Sequence, residues 1–396
     1  MVGGLTRGPH VSGARVQPGV GWWGLYGLAI TSFGGPLALS ALYAPQLVAD
    51  VAGSAGLVTA ASVVMFAVPL VVWLGYARKV SGAAGLAGFV EAAVGRPLAL
   101  VQAAVWTVSY LLYLLYTSAY VVYDVLPSAI TLPAGSKPLL AVALPVAVVV
   151  VLLAPQRIAW LTITAIAVGQ LVLAALLAVV AVAHATSLAA ASGSAPPATV
   201  VRDGAGVALL YVCGSLPVFF GADLTNPTVR IPRAMVAGYA VAALAVVVTV
   251  TPMAAEPAFL RAPIPGASLA EVEWGRPVGV AIGVGVACSV LGVMLVEYLA
   301  VVRLGQAVTG WPAGRLTAGI AVAVVLAGPV SLVDPEQFYT DLLRPSLIAL
   351  WVAQVIPVAV FPWFAARHGT LRAGHLLLAT TATAFMIYGL VATLRV

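Results

Sequence analysis

The sequence predicts an all-α polytopic membrane protein of about 11 transmembrane helices, ten of them forming a five-plus-five inverted repeat. Three observations predict this class: an apolar composition, long charge-free runs, and matching interruptions in two of those runs. Hydrophobic residues make up 62% of the 396 residues, 8% are charged, and the mean hydropathy is +1.10. Soluble domains are about half apolar and about a quarter charged, so this chain belongs in a bilayer.

Eleven charge-free runs predict the membrane spans. Each run is near or above the ~18–20 apolar residues that a helix needs to cross ~30 Å of hydrocarbon. The bilayer core has no water to pair backbone N–H and C=O groups, so runs of this length are expected to be helical. The alternating ten-residue pattern of membrane β-barrels is absent. The runs are 16–49, 51–77, 97–123, 138–156, 158–201, 204–222, 234–255, 277–296, 316–333, 345–366 and 373–394.

The distribution of basic residues predicts the orientation of these spans. With residues 1–19 as a cytoplasmic tail, 12 Lys and Arg residues fall on the inner side and six on the outer side. Such a bias is the positive-inside signal of membrane proteins. Nine of the 12 acidic residues fall outside on the same topology. We therefore expect a multi-pass protein of the plasma membrane with a cytoplasmic N-terminus, and the net charge of +6 does not indicate a nucleic-acid partner.

Two predicted spans are interrupted in the middle. Span 1 carries Gly34, Gly35 and Pro36, and span 6 carries Gly214 and Pro217. Pro removes a backbone donor and Gly tolerates unwound dihedral angles, so a helix opens readily at such places. A simple kink is the alternative, since Gly and Pro are common in membrane helices. The two breaks lie five spans apart, which favours a transporter site built from discontinuous helices near the membrane midplane.

The same spacing predicts how the chain is organised. We expect a tail at 1–19, a first five-helix repeat at 20–200, a second at 201–366 and an additional C-terminal helix at 371–396. No loop is long enough to fold as a soluble domain. The two cysteines fall within predicted spans, so no disulfide framework is implied.

Three segments resemble the amino acid–polyamine–organocation (APC) permeases. Residues 223–235 read DLTNPTVRIPRAM and resemble the acid-x-x-Asn-Pro-x-x-x-Ile-Pro-Arg-Ala segment that follows span 6 in those permeases. Residues 303–312, RLGQAVTGWP, are similar to the Arg-, Gly- and Pro-containing element after span 8. The break TSFGGP at 31–36 is a weaker match. Together with the span count, the resemblance covers about residues 20–365.

The resemblance implies a leucine-transporter-type fold and a permease that moves amino acids or related amines by alternating access. Proton coupling is expected by elimination, because Glu297 is the only acid deep in a predicted span, and sodium is the second choice. Three features depart from the family pattern. Residues 211–215 read YVCGS where an aromatic-x-Gly-aromatic-Glu pattern is usual, the chain has 11 predicted spans where 12 are frequent, and span 5 lacks a basic residue.

Polar residues after span 6 are predicted to form a cytoplasmic gate and scaffold. An Asn-Pro pair ends one element, and Pro232 falls in the first turn of span 7, where its missing N–H costs little. Asp223 is expected to pair with one of four basic residues, Arg78, Lys79, Arg230 or Arg233. The predicted gate and scaffold residues are Asp223, Asn226, Pro227, Arg230, Pro232, Arg233 and Arg303.

The substrate ligands are predicted to lie at the two breaks. An unwound helix exposes backbone N–H groups at the positive end of its second half, which suits a carboxylate on span 1. Carbonyl groups near the span 6 break could accept from an ammonium group, and Leu216 or Tyr211 could limit side-chain size. The resemblance implies the same division of roles. The predicted substrate-binding residues are Thr31, Ser32, Phe33, Gly34, Gly35, Ser109, Tyr113, Tyr211, Cys213, Gly214, Ser215 and Leu216.

Span 3 carries five tyrosines: Tyr110, Tyr113, Tyr116, Tyr120 and Tyr123. The last four share one helical face. A hydroxyl in hydrocarbon needs a partner, so a stripe that faces a cavity or another helix is expected. An aromatic belt at the outer interface is the alternative for the last two. Tyr113, near the middle of the membrane, is the best candidate to line a cavity, and Ser109 lies one turn deeper on a similar face.

Glu297 is an acid inside predicted span 8, with no basic residue three or four positions away. Intramembrane acids are costly and usually functional, which favours a proton carrier that couples to transport. A structural ion pair with the end of another helix is the alternative. Ser289, beside Cys288, lies where sodium-coupled relatives of the implied fold place hydroxyl ligands, so Glu297 and Ser289 are the two coupling candidates.

Other function classes remain as alternatives. A membrane-embedded sensor or receptor on the same fold would bind ligand without net transport, and a channel would pass currents far above transporter turnover. A membrane enzyme is not expected, because the four histidines make no metal-ligand or catalytic spacing. Neither a cofactor nor a bound metal is expected, and the expected partners are a small-molecule substrate, a proton and the lipid bilayer.

Overall fold

The computed structural model describes residues 21–185, 193 and 195–395, so the predicted tail at 1–19 lies outside the described residues. Within that part of the chain, eleven helices are long and apolar enough to cross a membrane, as the charge-free runs predict. We number them as spans 1 to 11. They are Trp22–Leu47, Ala49–Ala77, Arg96–Ala129, Ser136–Leu153, Gln156–His184, Pro197–Asp223, Pro227–Met253, Arg276–Thr309, Ala313–Val330, Pro335–Arg367 and Ala373–Arg395.

Five spans are composed of more than one helical segment. Span 1 contains the α-helix Trp22–Ser32, the turn Pro36–Ala38, the π-helical turn Leu39–Tyr43 and the turn Ala44–Leu47. Span 2 joins the 3₁₀ segment Ala49–Ser54 to the α-helix Ala55–Ala77. Span 3 comprises Arg96–Tyr120, the π-helical turn Val121–Val125 and Leu126–Ala129. Span 6 joins Pro197–Leu209 to the 3₁₀ segment Val212–Asp223, and span 10 joins Pro335–Ala359 to Phe361–Arg367.

The break in span 1 is a true interruption of the helix. The first α-helix ends at Ser32, and the chain passes through Gly34 and Gly35 with φ angles of 86° and 70°. These left-handed dihedral angles are accessible to Gly and costly for residues that carry a Cβ. Pro36 restarts the helix in its first turn, where its missing N–H is tolerated. The Gly35 N–H donates to the Thr31 carbonyl at 3.0 Å, so one hydrogen bond bridges the break.

Span 6 changes its winding where the sequence predicts an opening. The α-helix ends at Leu209, and the chain continues as a 3₁₀ helix from Val212 to Asp223 with Pro217 inside it. The segment is therefore more tightly wound and stays helical. Gly214 lies against the ring of Phe33 so closely that a Cβ would overlap it. The breaks of the two spans consequently touch each other at the centre of the bundle.

Two short helices on opposite faces reveal the internal repeat. Gly85–Val94 precedes span 3, and Pro265–Trp274 precedes span 8. Each ends at a Gly with positive φ, Gly95 at 106° and Gly275 at 86°, and Arg-Pro then starts the next span. Both junctions read Glu-x-x-x-Gly-Arg-Pro and lie 180 residues apart, the same offset that separates the Gly residues of the two breaks.

Each short helix packs against the broken span of the other repeat. The Gly85–Val94 helix contacts the 3₁₀ half of span 6, and Gly85 lies directly against the Phe219 ring. The Pro265–Trp274 helix contacts the second half of span 1, where Gly266 lies against Ala41. This reciprocal packing is the arrangement expected of an inverted repeat. The boundaries of the repeats at 200 and 366 stay a prediction.

The broken spans occupy the centre of the bundle. In the most apolar window, 83% of span 1 and 72% of span 6 are buried inside the protein, compared with 22% of spans 4 and 9. Irregular backbone is tolerated at membrane depth only where protein shields it from lipid. The outer spans therefore form the wall within which the central spans can depart from regular helix.

Replacing Gly214 by Ala tests the contact between the two breaks. The added methyl group would overlap the buried Phe33 ring, which is itself packed against Phe66 and Tyr239. We expect a loss of about 1–3 kcal/mol, the usual cost of overpacking a core, seen as a lower melting temperature of the purified protein. Gly206→Ala on the same span is the control, because a Cβ there meets no atom within 4 Å. Equal melting temperatures for the two variants would contradict the prediction.

Candidate functional site

A cavity of about 250 Å³ lies at the level of the two breaks, between spans 1, 3, 6, 8 and 10. Span 1 contributes Gly34, Leu39 and Tyr43, and span 3 contributes Ser109, Tyr110, Tyr113, Tyr116, Thr117 and Tyr120. The remaining lining residues are Leu209, Leu210, Val212, Cys213, Val290, Val293, Glu297, Tyr339, Leu343, Ser346, Leu347 and Leu350. The size suits a small organic molecule more than a peptide.

The cavity brings together five of the residues singled out from the sequence: Gly34, Ser109, Tyr113, Cys213 and Glu297. They come from four different spans, which only the fold places side by side. Ser109 is held in position because its hydroxyl donates to the Ser346 carbonyl at 2.8 Å and the Ser346 hydroxyl donates back at 2.9 Å. The structure thus juxtaposes these groups, and a role in binding substrate stays a prediction for each.

Glu297 is the one acidic side chain among the described residues that line the cavity. It is fully buried, and neither carboxyl oxygen has a hydrogen-bond partner of normal geometry. The carboxyl group lies beside the Cys213 thiol, which in turn accepts from the Tyr110 hydroxyl at 3.6 Å. Within the described part of the chain, Glu297 does not form the ion pair considered from the sequence. Glu297 faces the cavity at the level of the two breaks.

Tyrosine rings form the wall between spans 3 and 10. Tyr113 and Tyr116 meet edge to face with ring centroids 5.3 Å apart, and Tyr116 meets Tyr339 in the same way at 5.3 Å. Tyr120 stacks on Tyr339 at 5.3 Å with an interplanar angle of 18°. The tyrosine stripe of span 3 therefore faces the cavity and span 10, whereas Tyr123 lies outside the cavity in a larger opening.

Span 10 is the part of the site that sequence reasoning missed. Its contribution is the helical face Tyr339, Leu343, Ser346, Leu347 and Leu350. The charge-free run predicted for this span begins at residue 345, after Asp341 and Arg344, so Tyr339 and Leu343 fall outside it. The signal that was available is the spacing of three to four residues between Tyr339, Leu343 and Ser346, which places one tyrosine and one serine on the same face.

A chain of polar side chains links spans 1, 5 and 8 beside the cavity. The Ser289 hydroxyl donates to Gln170 Oε1 at 2.6 Å, and Gln170 Nε2 donates to the Thr31 hydroxyl at 2.9 Å. All three residues are buried. A Cβ on Gly35 would overlap the Ser289 hydroxyl and crowd Gln170, so Gly35 faces this chain and not the cavity. Gln170, a lone amide inside an apolar 29-residue helix, was not singled out from the sequence.

Other predicted ligands lie close to the cavity without lining it. The Ser32 hydroxyl donates to the Ala29 carbonyl of its own helix at 2.8 Å, and Phe33 packs on Gly214. Tyr211 is buried against Phe66 and Tyr239, with ring centroids 5.5 Å from each. Two further predicted residues are also fully buried: Ser215, which accepts from Gln354 Nε2 at 3.3 Å, and Leu216.

The cavity adjoins a wide vestibule of about 1150 Å³ on the predicted outer face. Tyr120 and Tyr339 line both spaces, so their stacked rings lie between the cavity and the vestibule. Three acids line the vestibule, Asp124, Asp334 and Glu336. The entrance on this side is therefore acidic and aromatic.

Packed aromatic rings close the cavity on the opposite side. Trp106 lies one turn below Tyr110 on span 3 and stacks on it with ring centroids 4.1 Å apart. It also contacts Phe219 of span 6 at 4.4 Å, and Phe219 is pressed against Gly85. Both rings are almost fully buried. Access to the cavity is thus one-sided in this structure.

An ion pair lies beneath this aromatic layer, near the predicted cytoplasmic face. Asp223 Oδ2 is 2.9 Å from Arg303 Nη2, and both side chains are about four-fifths buried. The pairing joins the end of span 6 to span 8. The partner expected from the sequence was wrong, because Arg303 comes close through tertiary packing although it lies 80 residues along the chain.

The remaining predicted gate residues form the turn into span 7. Asn226 adopts the left-handed conformation with φ of 54°. It precedes Pro227, the first residue of the helix, and Arg230 and Pro232 follow within the next five residues. The Arg230 guanidinium lies 4.8 Å from the Trp22 ring centroid. Arg233 is exposed. These residues therefore anchor spans 1, 6 and 7 to one another at one face.

Comparison with solved structures identifies the fold. The chain is similar to MhsT in complex with L-phenylalanine, with a TM-score of 0.67, 14% identity, and 96% of this chain and 99% of that chain covered. It is also similar to the Eremococcus coleocola manganese transporter, with a TM-score of 0.61, 12% identity, and 98% and 89% covered. A Na⁺-coupled sialic acid symporter gives a TM-score of 0.61, 8% identity, and 95% and 90% covered.

These similarities confirm the predicted fold class: the chain is an all-α multi-pass membrane protein with the five-plus-five leucine-transporter fold and 11 spans. At 8–14% identity they show the fold alone. By sequence, no protein family and no curated protein matches the chain. The resemblance to APC permeases is consistent with this fold and is not confirmed beyond it.

Replacing Gln170 by Leu tests the polar chain between spans 1, 5 and 8. The change leaves the buried Ser289 hydroxyl without its acceptor and the Thr31 hydroxyl without its donor. Leaving a buried polar group unpaired costs about 1–3 kcal/mol, so we expect a clear drop in melting temperature. Gly169→Ala is the control, since a Cβ at that neighbouring position meets nothing within 4 Å. A Leu variant as stable as wild type would show that the chain does not stabilise the fold.

Proposed function

We propose that the protein is a secondary active transporter that moves amino acids or related amines across the membrane by alternating access. The observation that carries the proposal is a small central cavity with one-sided access: stacked tyrosines and a vestibule above it, packed Trp106 and Phe219 below it. Such a site can exchange sides if the aromatic layer opens while the outer side closes. The two broken spans that form it are the elements able to move as halves.

We further propose that a proton, and not sodium, couples transport. Glu297 supports this choice, because it is a buried carboxyl group that faces the cavity and can carry a proton. Ser289, the candidate for sodium, donates its hydroxyl hydrogen to Gln170, and the Gln170 amide nitrogen occupies the space beside Thr31. An N–H donor in this position does not favour a cation. The sialic acid symporter of the same fold is named as Na⁺-coupled, so sodium remains the competing ion.

We also propose an orientation of the protein in the membrane. A plasma-membrane location with a cytoplasmic N-terminus is supported by the 12-to-six distribution of basic residues. The vestibule would then open to the outside, and the Asp223–Arg303 pair would face the cytoplasm.

Uptake into liposomes tests the function directly. Purified protein is reconstituted, and uptake of radiolabelled amino acids and amines is measured under an imposed pH gradient, an imposed sodium gradient, or neither. A transporter accumulates at least one solute in a gradient-dependent way. A sensor on the same fold, the alternative function, would bind solute in a thermal-shift assay and show no flux in liposomes.

The natural cysteines provide a test of access. Cys213 lines the cavity, whereas Cys288 is exposed on the surface of span 8, where lipid is expected to cover it. In the Cys288→Ala protein we expect a membrane-impermeant methanethiosulfonate reagent to modify Cys213 at least several-fold faster from the vestibule side than from the opposite side. A transported solute should slow the reaction in proportion to its occupancy.

The Cys213→Ala protein, which keeps Cys288, is the matched control and should not react from either side. Oriented proteoliposomes allow reagent to be added to each side in turn. Equal labelling of the two single-cysteine proteins, or labelling of Cys213 that no accumulated solute slows, would contradict the assignment of the cavity as the transport site.

A further inference from the structure

We propose that the cavity selects small organic cations that lack a carboxylate, and that Glu297 exchanges its own proton for each cation that binds. The protein would then be a proton–amine antiporter with one proton released for each monovalent cation taken up. This inference rests on the proposed transport function and deepens it by naming the substrate class and the exchange.

The empty cavity constrains the charge on Glu297. An ionised carboxylate that is fully buried without a counter-ion or hydrogen-bond donor costs many kcal/mol, so such a group remains neutral instead. Among the described residues, none forms an ion pair with Glu297 or a hydrogen bond of normal geometry with its carboxyl oxygens; only the neutral Cys213 thiol lies beside the group, which is fully buried. Glu297 therefore carries a proton while the cavity is empty.

The groups that face Glu297 provide no compensating charge. They are Tyr110, Tyr113 and Tyr116 of span 3 and Cys213 of span 6, all of which are neutral or potentially negative. Spans 1 and 10 contribute two more tyrosines, Tyr43 and Tyr339. Among the described residues that line the cavity, none is Lys, Arg or His. A positive charge that pairs with Glu297 must accordingly arrive with the ligand.

The site offers little to a substrate carboxylate. Of the segment from Thr31 to Ala38, the cavity is lined by Gly34 alone. The Gly35 N–H already donates to the Thr31 carbonyl, and Pro36 has no N–H to offer. Two of the positions at this break therefore offer no free N–H to a carboxylate, and Gly34 is the one residue of the segment that reaches the cavity. A zwitterionic amino acid would bring a negative charge into a cavity that already contains an acid and no base.

The walls suit an organic cation. Tyrosine rings attract a cationic group through their faces, most strongly where water is excluded. Leucine and valine side chains of spans 6, 8 and 10 leave an apolar remainder for the rest of the ligand. The vestibule adds Asp124, Asp334 and Glu336, and a cleft lined by one sign of charge raises the local concentration of the opposite ion.

The exchange balances as follows. An ammonium ion enters from the vestibule, the O–H bond of the Glu297 carboxyl group breaks, and the proton passes to water in the vestibule. The resulting carboxylate pairs with the ammonium ion. On the other side of the membrane, the cation leaves and the carboxylate takes up a proton from water. The site is thus neutral when it changes sides, either with protonated Glu297 or with the carboxylate paired to the cation. An unpaired buried carboxylate is too costly for the site to change sides without a proton or a cation.

Matched pairs of ligands test the proposal. Phenethylamine and isoamylamine are the decarboxylated counterparts of L-phenylalanine and L-leucine, so each pair differs only in the carboxylate. Calorimetric titration of the purified full chain in buffers of different ionisation enthalpy counts the protons released on binding. We expect the amines to bind at least 10-fold more tightly than the amino acids and to release about one proton each at neutral pH.

Glu297→Gln should abolish proton release and weaken amine binding by at least 10-fold. Glu91→Gln, which removes an exposed acid from the predicted opposite face, is the control and should change neither. If the Gln variant does not fold, infrared difference spectroscopy of wild type gives the same information. An amine should abolish a protonated-carboxyl band that is present in the empty protein, in step with occupancy.

Tighter binding of the amino acids, binding of amines without proton release, or proton release that persists in Glu297→Gln would each overturn the proposal. Failure of the proposed function is separate. Uptake of an amino acid without any amine binding would refute the cation site and leave the transporter intact. Amine binding with proton release but no flux in liposomes would refute transport and leave the cation site intact.

Discussion

The constraint on which this structure depends is that every backbone polar group inside a bilayer must be paired. Two spans depart from regular helix at mid-membrane, and both are the most buried of the bundle. The Gly35–Thr31 hydrogen bond bridges one departure, and the 3₁₀ winding of span 6 keeps the other helical. Most of both spans is therefore shielded by the surrounding helices, so a cavity with polar groups can exist inside the bundle.

The cavity turns this shielded region into a site of one charge sign. Among the described lining residues, one carboxyl group, six tyrosines and one thiol converge there from five spans, and most of the remaining wall is aliphatic. No described residue that lines the cavity is basic, so in the proposed exchange the protonation of the acid and its pairing with a cation are two outcomes of the same equilibrium. The tyrosines of this wall have two positions: some lie around the acid, and two of them also lie between the cavity and the vestibule. Movement of the rings that opens the cavity would therefore also change the surroundings of the acid.

Hydropathy was sufficient to predict the spans, and the matching breaks were sufficient to predict the repeat. Gly34 and the tyrosine stripe were recognised because each leaves a local pattern in the sequence. Tertiary pairings leave none, which is why Gln170 and Tyr339 were missed and why Arg303 was not recognised as the partner of Asp223. The repeated Glu-x-x-x-Gly-Arg-Pro motif, 180 residues apart, was present in the sequence but was not recognised, because it is too polar to register in a hydropathy profile.

That duplicated junction has a consequence for how the chain enters the membrane. When a unit with an odd number of spans is duplicated, the second copy has the opposite orientation in the membrane. Arg276 is therefore predicted on the outer face, whereas Arg96 is predicted on the inner face. The second copy thus carries a basic residue against the usual topological signal. Three acids lie on the same outer segment, Glu256, Glu271 and Glu273, and two of them bind His184 at 2.9 Å and 2.6 Å. On the predicted topology, acidic residues therefore lie beside the basic residue that the inversion leaves on the outer side.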